Sequence, residues 1–319
     1  KRLEYPWLDE EQGSEGADEQ RGGGAEEQGS IGAGVRGSAP EGPATLAFEI
    51  GTEELPPGDL DDALAQLNDL APAALEEARL DYGDLYVLGT PRRVSLVVED
   101  LAPRQRPIEE EVKGPPAKVA FDAGGQPTRA AEGFARSQGV AVGELRTEQM
   151  DGGEYVVAVR REEGQPALAL LPELLTGLLA ELHFRQSMRW NESGVAFSRP
   201  IRWLVGLLGE TVLPVAYAGV ESTRTSRGPR SEGSAPFEVP SAGAYPTLLE
   251  EHSIMADRDR RRAFIAEQAE ALANQVGGHI PQDPELLNEV TNLVEQPTPF
   301  LGSFEEKYLA LPGEVLVAV

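Results

Sequence analysis

Residues 9–43 read DEEQGSEGADEQRGGGAEEQGSIGAGVRGSAPEGP, and this stretch decides where a fold can begin. Glycine, glutamate and serine dominate it, and Ile31 and Val35 are its only branched aliphatics. Ordering a backbone costs about 1–2 kcal/mol per residue. A segment with so little apolar surface to bury cannot offset that cost. Residues 1–44 therefore read as a flexible acidic interdomain linker rich in Gly and Glu. Its first eight residues, KRLEYPWL, are aromatic and apolar and suited to docking on something. A sticky piece ahead of a linker suggests a chain cut from a longer one.

The rest of the 319 residues is long enough for two or three domains with real cores. Hydrophobic content of 40% with 26% charged residues is that of a soluble globular protein. No apolar run approaches the roughly 20 residues that a membrane span needs. The polar, acidic start holds no signal peptide, so a cytoplasmic location without a membrane partner is expected. Cysteine is absent, which excludes disulfides and thiol chemistry, and three scattered histidines (His183, His252, His279) argue against a metal site. The formal net charge of −26, from 54 acidic against 28 basic residues, argues against general nucleic-acid affinity. A local basic groove is compatible with it, because fields are screened over about 8–10 Å at physiological salt.

Periodicity predicts a small α/β unit over 45–102. ATLAFEIG (44–51) reads as a strand, and PPGDLDDALAQLNDLAPAALEEARL as a helix with its prolines in the first turn and a kink at Pro72. DLYVLG and RRVSLVVEDL follow as strands. A β-rich α+β domain is expected over 103–235, with a short strand, the helix TRAAEGFARSQG, the strand EYVVAVRREEG, the helix LALLPELLTGLLAELHF and the buried strands WLVGLLG and VLPVAYAGV. From about 236 to 319 the chain turns helical: AYPTLLEEHS, DRDRRRAFIAEQAEALANQVGG and DPELLNEVTNLVEQ, the last capped by Asp283 with Pro284 at its first position. The end, PGEVLVAV, reads as an apolar strand and suggests truncation there as well. The fold class is α+β, with mixed small sheets and packed helices.

Candidate chemistry is sparse. Glu49, Glu53 and Glu54 surround a strand-to-helix turn, where Thr52 would cap the helix and the glutamates face its positive end. The functional alternative is a carboxylate-based hydrolase or a Mg²⁺ site. No phosphate-binding glycine loop or nucleophile elbow is found, so no catalytic residue is assigned. DRDRRR (257–262) alternates charge as a solvated helix face does. More informative is the segment around two of the three tryptophans, Trp190 and Trp203. Arg185, Arg189, Arg199 and Arg202, with Arg224, Arg227 and Arg230 in TRTSRGPR, gather seven arginines in one stretch of an acidic chain. Guanidinium forks suit phosphate oxygens, and indole faces stack on bases or on Arg. In the opposing reading the tryptophans are core residues and the arginines pair with the plentiful carboxylates. Residue chemistry alone leaves both open.

FEIGTEELPP, TPRRVSLVVEDLA, EVKGPPAKVAFDAGGQPTRAAEGFARSQGV, SMRWNESGVAFSRPIRWLVGLLGE and VTNLVEQPTPFLGSFEEKYLALPGEVLV occur in this order, and together they resemble the β subunit of bacterial heterotetrameric glycyl-tRNA synthetase, from about residue 45 to the end. KRLEYPWL is similar to the end of that enzyme's α subunit, which implies a fused α–β chain. The resemblance implies membership in a class II synthetase that joins glycine to tRNA(Gly) with ATP and Mg²⁺. The adenylate site would lie in the α part, the full enzyme would be a dimer of α–β units, and no cofactor would belong to this fragment. It also implies a fold partly similar to the B3/B4 domain of phenylalanyl-tRNA synthetase. The tRNA-contact candidates are Arg185, Arg189, Trp190, Arg199, Arg202, Arg224, Arg227 and Arg230. The resemblance breaks at RGPRS (227–231), where Pro229 and Ser231 stand in place of the family's usual histidine and aromatic. A purely structural brace for the α part, or a relic editing hydrolase, are the alternative roles.

Overall fold

The computed structural model describes residues 40–122, 124–150 and 152–318. Most of the expected linker, with KRLEYPWL, lies outside the described residues. The architecture is α+β, with several small sheets and eight helices among the described residues. The elements in order are β1 (Ala44–Thr52), α1 (Pro57–Glu77), β2 (Leu85–Thr90), β3 (Arg93–Leu101), β4 (Ile108–Pro116), α2 (Ala117–Ala120), α3 (Arg129–Gln138), β5 (Arg146–Met150), β6 (Gly153–Glu162) and α4 (Ala167–Glu181). They continue with β7 (Ile201–Leu208), β8 (Thr211–Val212), β9 (Ala216–Tyr217), β10 (Val220–Thr223), β11 (Thr225–Arg227), β12 (Pro236–Glu238), α5 (Tyr245–Glu251), α6 (Arg258–Gln275), α7 (Pro284–Thr291) and α8 (Gly313–Ala318).

A seven-stranded sheet runs β2-β3-β1-β7-β10-β9, with β8 hairpinned onto β7. β1 lies between β3 and β7, antiparallel to both, so strands on either side of residues 103–200 share one sheet. Both its faces are covered, which is why β1, β3 and β7 read as nearly continuous apolar runs. On the first face, Leu46, Phe48, Ile50, Val94, Leu96, Val98 and Leu204 pack beneath α1 and α4. The helices answer with Leu60, Leu64, Leu67 and Leu75, and with Leu171, Leu175 and Leu178. Each such side chain contributes about 1.5–3 kcal/mol on burial. On the second face Ala47, Val97, Trp203, Val205 and Leu207 meet Val239, Ala242, Tyr245, Leu249 and Ile254. Between β3 and α4, the sheet β4-β6-β5 carries α2 and α3 over a small core of Ala120, Ala131 and Val156.

Several local expectations change. VLPVAYAGV is not one buried strand but the short pieces β8, β9 and β10, with Pro214 between β8 and β9 lacking a ladder N–H. PGEVLVAV is helical from Gly313, not extended. A short apolar run does not distinguish the two by periodicity, and Pro312 followed by Glu314 in the first turn is a helix-start signal. DRDRRR is not merely a solvated face: Arg261 is fully buried, its Nε donating to the Thr291 carbonyl at 2.9 Å and its Nη1 to that of Met255. It ties α6 to the end of α7. Burial, and then the neighbouring Arg258 charge, lower its pKa to about 10. Asp283 caps α7 as expected, accepting from Leu286 N at 2.9 Å.

Two glycines are demanded by geometry. Gly209 sits at φ +56° in the two-residue turn from β7 to β8. Gly51, beside Trp203 in the register, has the indole so close that a Cβ would come within 1.9 Å of the ring. Gly51→Ala is therefore expected to cost about 3 kcal/mol as the indole is forced aside. Gly58→Ala at the start of α1, with open space around it, should stay within about 0.5 kcal/mol of wild type. Urea unfolding midpoints of the two variants check this.

Candidate functional site

The second face of the sheet is apolar except at one place. Alternation along β1 and β3 puts Glu49, Gly51, Arg93 and Ser95 on it, and the registers pair Glu49 with Ser95 and Gly51 with Arg93. β7 adds Trp203 opposite Gly51. Glu49, Arg93 and Ser95 are completely buried. A buried carboxylate is tolerated only when it is paired and fully hydrogen-bonded. Glu49 accepts from Trp203 Nε1, from Tyr245 OH, from Ser226 Oγ at 2.8 and 3.0 Å, and from Arg93 Nη1 at 3.4 Å. Ser95 lies 2.6 Å from the Tyr245 hydroxyl. Burial, and then the Glu49 charge, hold the Tyr245 phenol well above the ordinary tyrosine range. Burial alone would lower the Arg93 pKa, but Glu49, Tyr245 and Glu295 outweigh it and the net direction is upward.

Arg93 carries this network to the surface. Its Nη2 donates to the Arg227 carbonyl at 2.6 Å and to Glu295 Oε1 at 3.1 Å, while its Nη1 reaches Ser226 Oγ at 3.1 Å. Arg92 clamps the same loop, donating to Ser234 Oγ at 2.9 Å and to the Gly228 carbonyl at 3.4 Å. Glu295, just beyond α7, closes the arrangement by accepting from Thr90 Oγ1 at 3.2 Å and from the Arg230 backbone N–H at 3.3 Å. Above the network lies a recess of about 180 Å³ lined by Glu53, Arg92, Arg202, Trp203, Arg227 and Ser234. The guanidinium carbons of Arg92 and Arg227 stand 5.5 and 6.0 Å from the Trp203 ring centre. The indole is thus a platform for arginines, with 6% of its surface exposed, which leaves no face free for a base.

The expected residues divide. Arg202, Arg227 and Arg230 come together here: Arg202 pairs with Glu53 at 3.4 Å, and Arg230 with Glu54 at 3.1 Å. Arg224 instead braces the fold through the carbonyls of Glu210 and Pro240, at 3.0 and 3.2 Å. Arg199 bonds the Ser198 carbonyl at 2.8 Å, and the exposed Arg189 bonds that of Gly194 at 2.9 Å. Arg185 is exposed, and Trp190 is half-buried against the first core. Arg92, Arg93, Tyr245 and Glu295 were missed. The Pro-Arg-Arg at the β2–β3 turn was the one available signal, since adjacent arginines opening an apolar strand need buried partners.

The cap expected at Thr52 is absent. Thr52 is buried within β1, its Oγ1 has no hydrogen-bond partner among the described residues, and α1 begins at Pro57 without a side-chain cap. The three glutamates do not share one environment either. Glu49 is enclosed by its four donors, while Glu53 and Glu54 form exposed ion pairs with arginine. Among the described residues no cluster of three His, Asp or Glu is placed to hold a metal ion. No described helix is long and apolar enough to cross a membrane.

Residues 46–319 match the family described as glycyl-tRNA synthetase beta subunit. The chain belongs to the glycyl-tRNA synthetase β-subunit family. It is 47% identical over 272 residues to the glycine–tRNA ligase beta subunit of Moorella thermoacetica, covering 85% of this chain and 39% of that one. Against the beta subunit of Desulforudis audaxviator it is 48% identical over 274 residues, 86% of this chain and 40% of the relative. The chloroplastic/mitochondrial glycine–tRNA ligase 2 of Arabidopsis thaliana is 43% identical over 279 residues, 88% of this chain and 26% of its own length. The chain thus spans about 40% of the bacterial relatives. In this β-subunit chain the RGPRS loop, where the sequence departs from the resemblance, is the segment that Arg92 and Arg93 clamp. Pro229 is buried in it and Ser231 exposed.

Removing Glu49 strands a buried guanidinium. Glu49→Ala should lose about 3–5 kcal/mol, and the double variant Glu49→Leu/Arg93→Met should recover part of that loss. Chemical denaturation of the variants measures both. Tyr245, with its raised pKa, stabilises the fold fully below the ordinary tyrosine pKa of 10.0. That stability falls above pH 10, where the unfolded phenol ionises first. Tyr245→Phe should flatten the alkaline loss of stability, measured by denaturation between pH 9 and 11.

Proposed function

We propose that this chain is the N-terminal, non-catalytic part of the β region of a glycine–tRNA ligase, where it helps to hold tRNA(Gly) and to brace the catalytic α part. The observation that carries the reading is the gathering of Arg92, Arg202, Arg227 and Arg230 at one place on a chain of net charge −26, held from beneath by a buried network. Arg185, Arg189, Arg199, Arg224 and Trp190 are secondary contacts in this reading, with the exposed Arg185 the freest to meet a phosphate. ATP and Mg²⁺ act in the α part, and the full enzyme works in the cytoplasm as a dimer of α–β units. A fused α–β chain, and a likeness to the B3/B4 domain of phenylalanyl-tRNA synthetase, belong to the same proposal. Supporting the latter is the mixed central sheet with helices laid against it.

A second reading, a brace that barely touches RNA, is favoured by the overall acidity and by the bonds of Arg189, Arg199 and Arg224 to backbone carbonyls. The two readings differ in salt dependence. Binding of tRNA(Gly) to the whole ligase, titrated across salt, should lose about 1–2 units of log–log slope in Arg202→Ala/Arg230→Ala if these side chains meet phosphates. An unchanged slope and affinity would leave bracing as the role.

A further inference from the structure

We infer that the recess over Trp203 is a site for one phosphate group, with Arg92, Arg202 and Arg227 as its donors and Glu53 as a built-in competitor. The inference rests on the tRNA-handling role proposed above for the source of the phosphate, but not for the site itself. At about 180 Å³ the recess is smaller than the ~300–1,000 Å³ of pockets that enclose whole organic ligands, so it suits a single charged group. Three of its six lining residues are arginines, and its one carboxylate is Glu53.

The arginines differ in how far they are already satisfied. Arg227 forms no ion pair among the described residues, and its contact is the Trp203 ring. Arg92 is nine-tenths buried, lies 3.8 Å from Glu295, and its Nε has no hydrogen-bond partner among the described residues. Burial lowers the Arg92 pKa, with Glu295 opposing. Arg202 is half exposed and pairs with Glu53 at 3.4 Å. A bound phosphate would give the exposed Arg227 guanidinium, and that of Arg202 in exchange for Glu53, the charge-assisted bonds that planar donors favour.

The donors are also pre-positioned. Arg93, anchored on Glu49, holds the Arg227 carbonyl, and Arg92 holds Gly228 and Ser234 of the same loop. Little ordering of the loop or of Arg92 then remains to oppose binding. Glu53 stands 3.4 Å from Arg202 and 3.9 Å from Arg230, so an incoming anion must displace an exposed ion pair worth little in water. Opposite effects follow at two neighbouring positions, which a purely structural role would not produce.

The experiment uses the full-length ligase with inorganic phosphate as probe, read by calorimetry at low salt, and then with tRNA(Gly). Arg227→Gln should weaken phosphate about tenfold through loss of a charge-assisted donor. Glu53→Gln should tighten it about two- to fivefold by removing the competitor. If tRNA affinity moves in the same directions, the phosphate is one of the RNA backbone. If phosphate binding responds to both variants while tRNA affinity does not, the site stands as a receptor for a free anion, and the tRNA contact proposed for this face fails. Phosphate binding that is absent, or equal in wild type and both variants, overturns the site.

Discussion

The buried pair of Glu49 and Arg93 is the interaction on which the rest is built. Desolvating two charges on one covered face of a sheet is costly, and mutual attraction offsets that cost where further hydrogen bonds satisfy the charged groups. On the guanidinium only Nε is without a hydrogen-bond partner among the described residues. The chain satisfies the carboxylate by bringing side chains to it from distant segments: Trp203 from β7, Ser226 from β11 and Tyr245 from α5. Each is also a tie between layers. The network therefore specifies how the late elements of the chain dock on its first strand, where apolar packing alone would tolerate several registers.

The same network explains the cationic surface. Arg227 ends β11 and Arg230 sits on the short loop from β11 to β12, where Arg230 pairs with Glu54 and Arg227 forms no ion pair among the described residues. Backbone anchoring by Arg92 and Arg93, and by Glu295 at the Arg230 amide, fixes the loop without consuming the Arg227 guanidinium. Trp203 supplies an apolar floor with a negative ring face, beneath which Gly51 leaves the necessary room. Local charge reversal on an acidic protein is in this case a product of core packing, not of composition.

Much of the architecture was legible from spacing. The alternation of apolar runs and helical patterns located β1, α1, β2, β3, β6, α4 and β7, because each buries a continuous face and so must repeat with its own period. The cap of α7 was legible as Asp-Pro. Failures occurred where two forces compete in a short segment: at PGEVLVAV, where β-branched content opposed a helix-start signal, and at Thr52, where a good capping residue was enclosed in a strand. The arginines of the candidate site were half legible. Arg202, Arg227 and Arg230 were named from charge and converge, whereas Arg224 was named on the same grounds and serves the backbone.

The sequence by itself determined that a first strand opens near residue 44, that the fold is α+β, that thiol and disulfide chemistry are excluded, and, through five motifs in series, which family the chain resembles. These depend on composition and local period, which a linear string carries. Only the tertiary structure decided that Glu49 is a buried anchor bonded by four side chains, that Arg261 is buried in a run that looks solvated, and that Arg92 belongs with Arg202 and Arg227. Those outcomes depend on which residues meet across the chain, 30 residues apart for Arg261 and Thr291, 44 for Glu49 and Arg93 and 136 for Arg92 and Gly228. A charge's role is set by its partners and its dielectric surroundings, and neither exists until the sheet has closed over it.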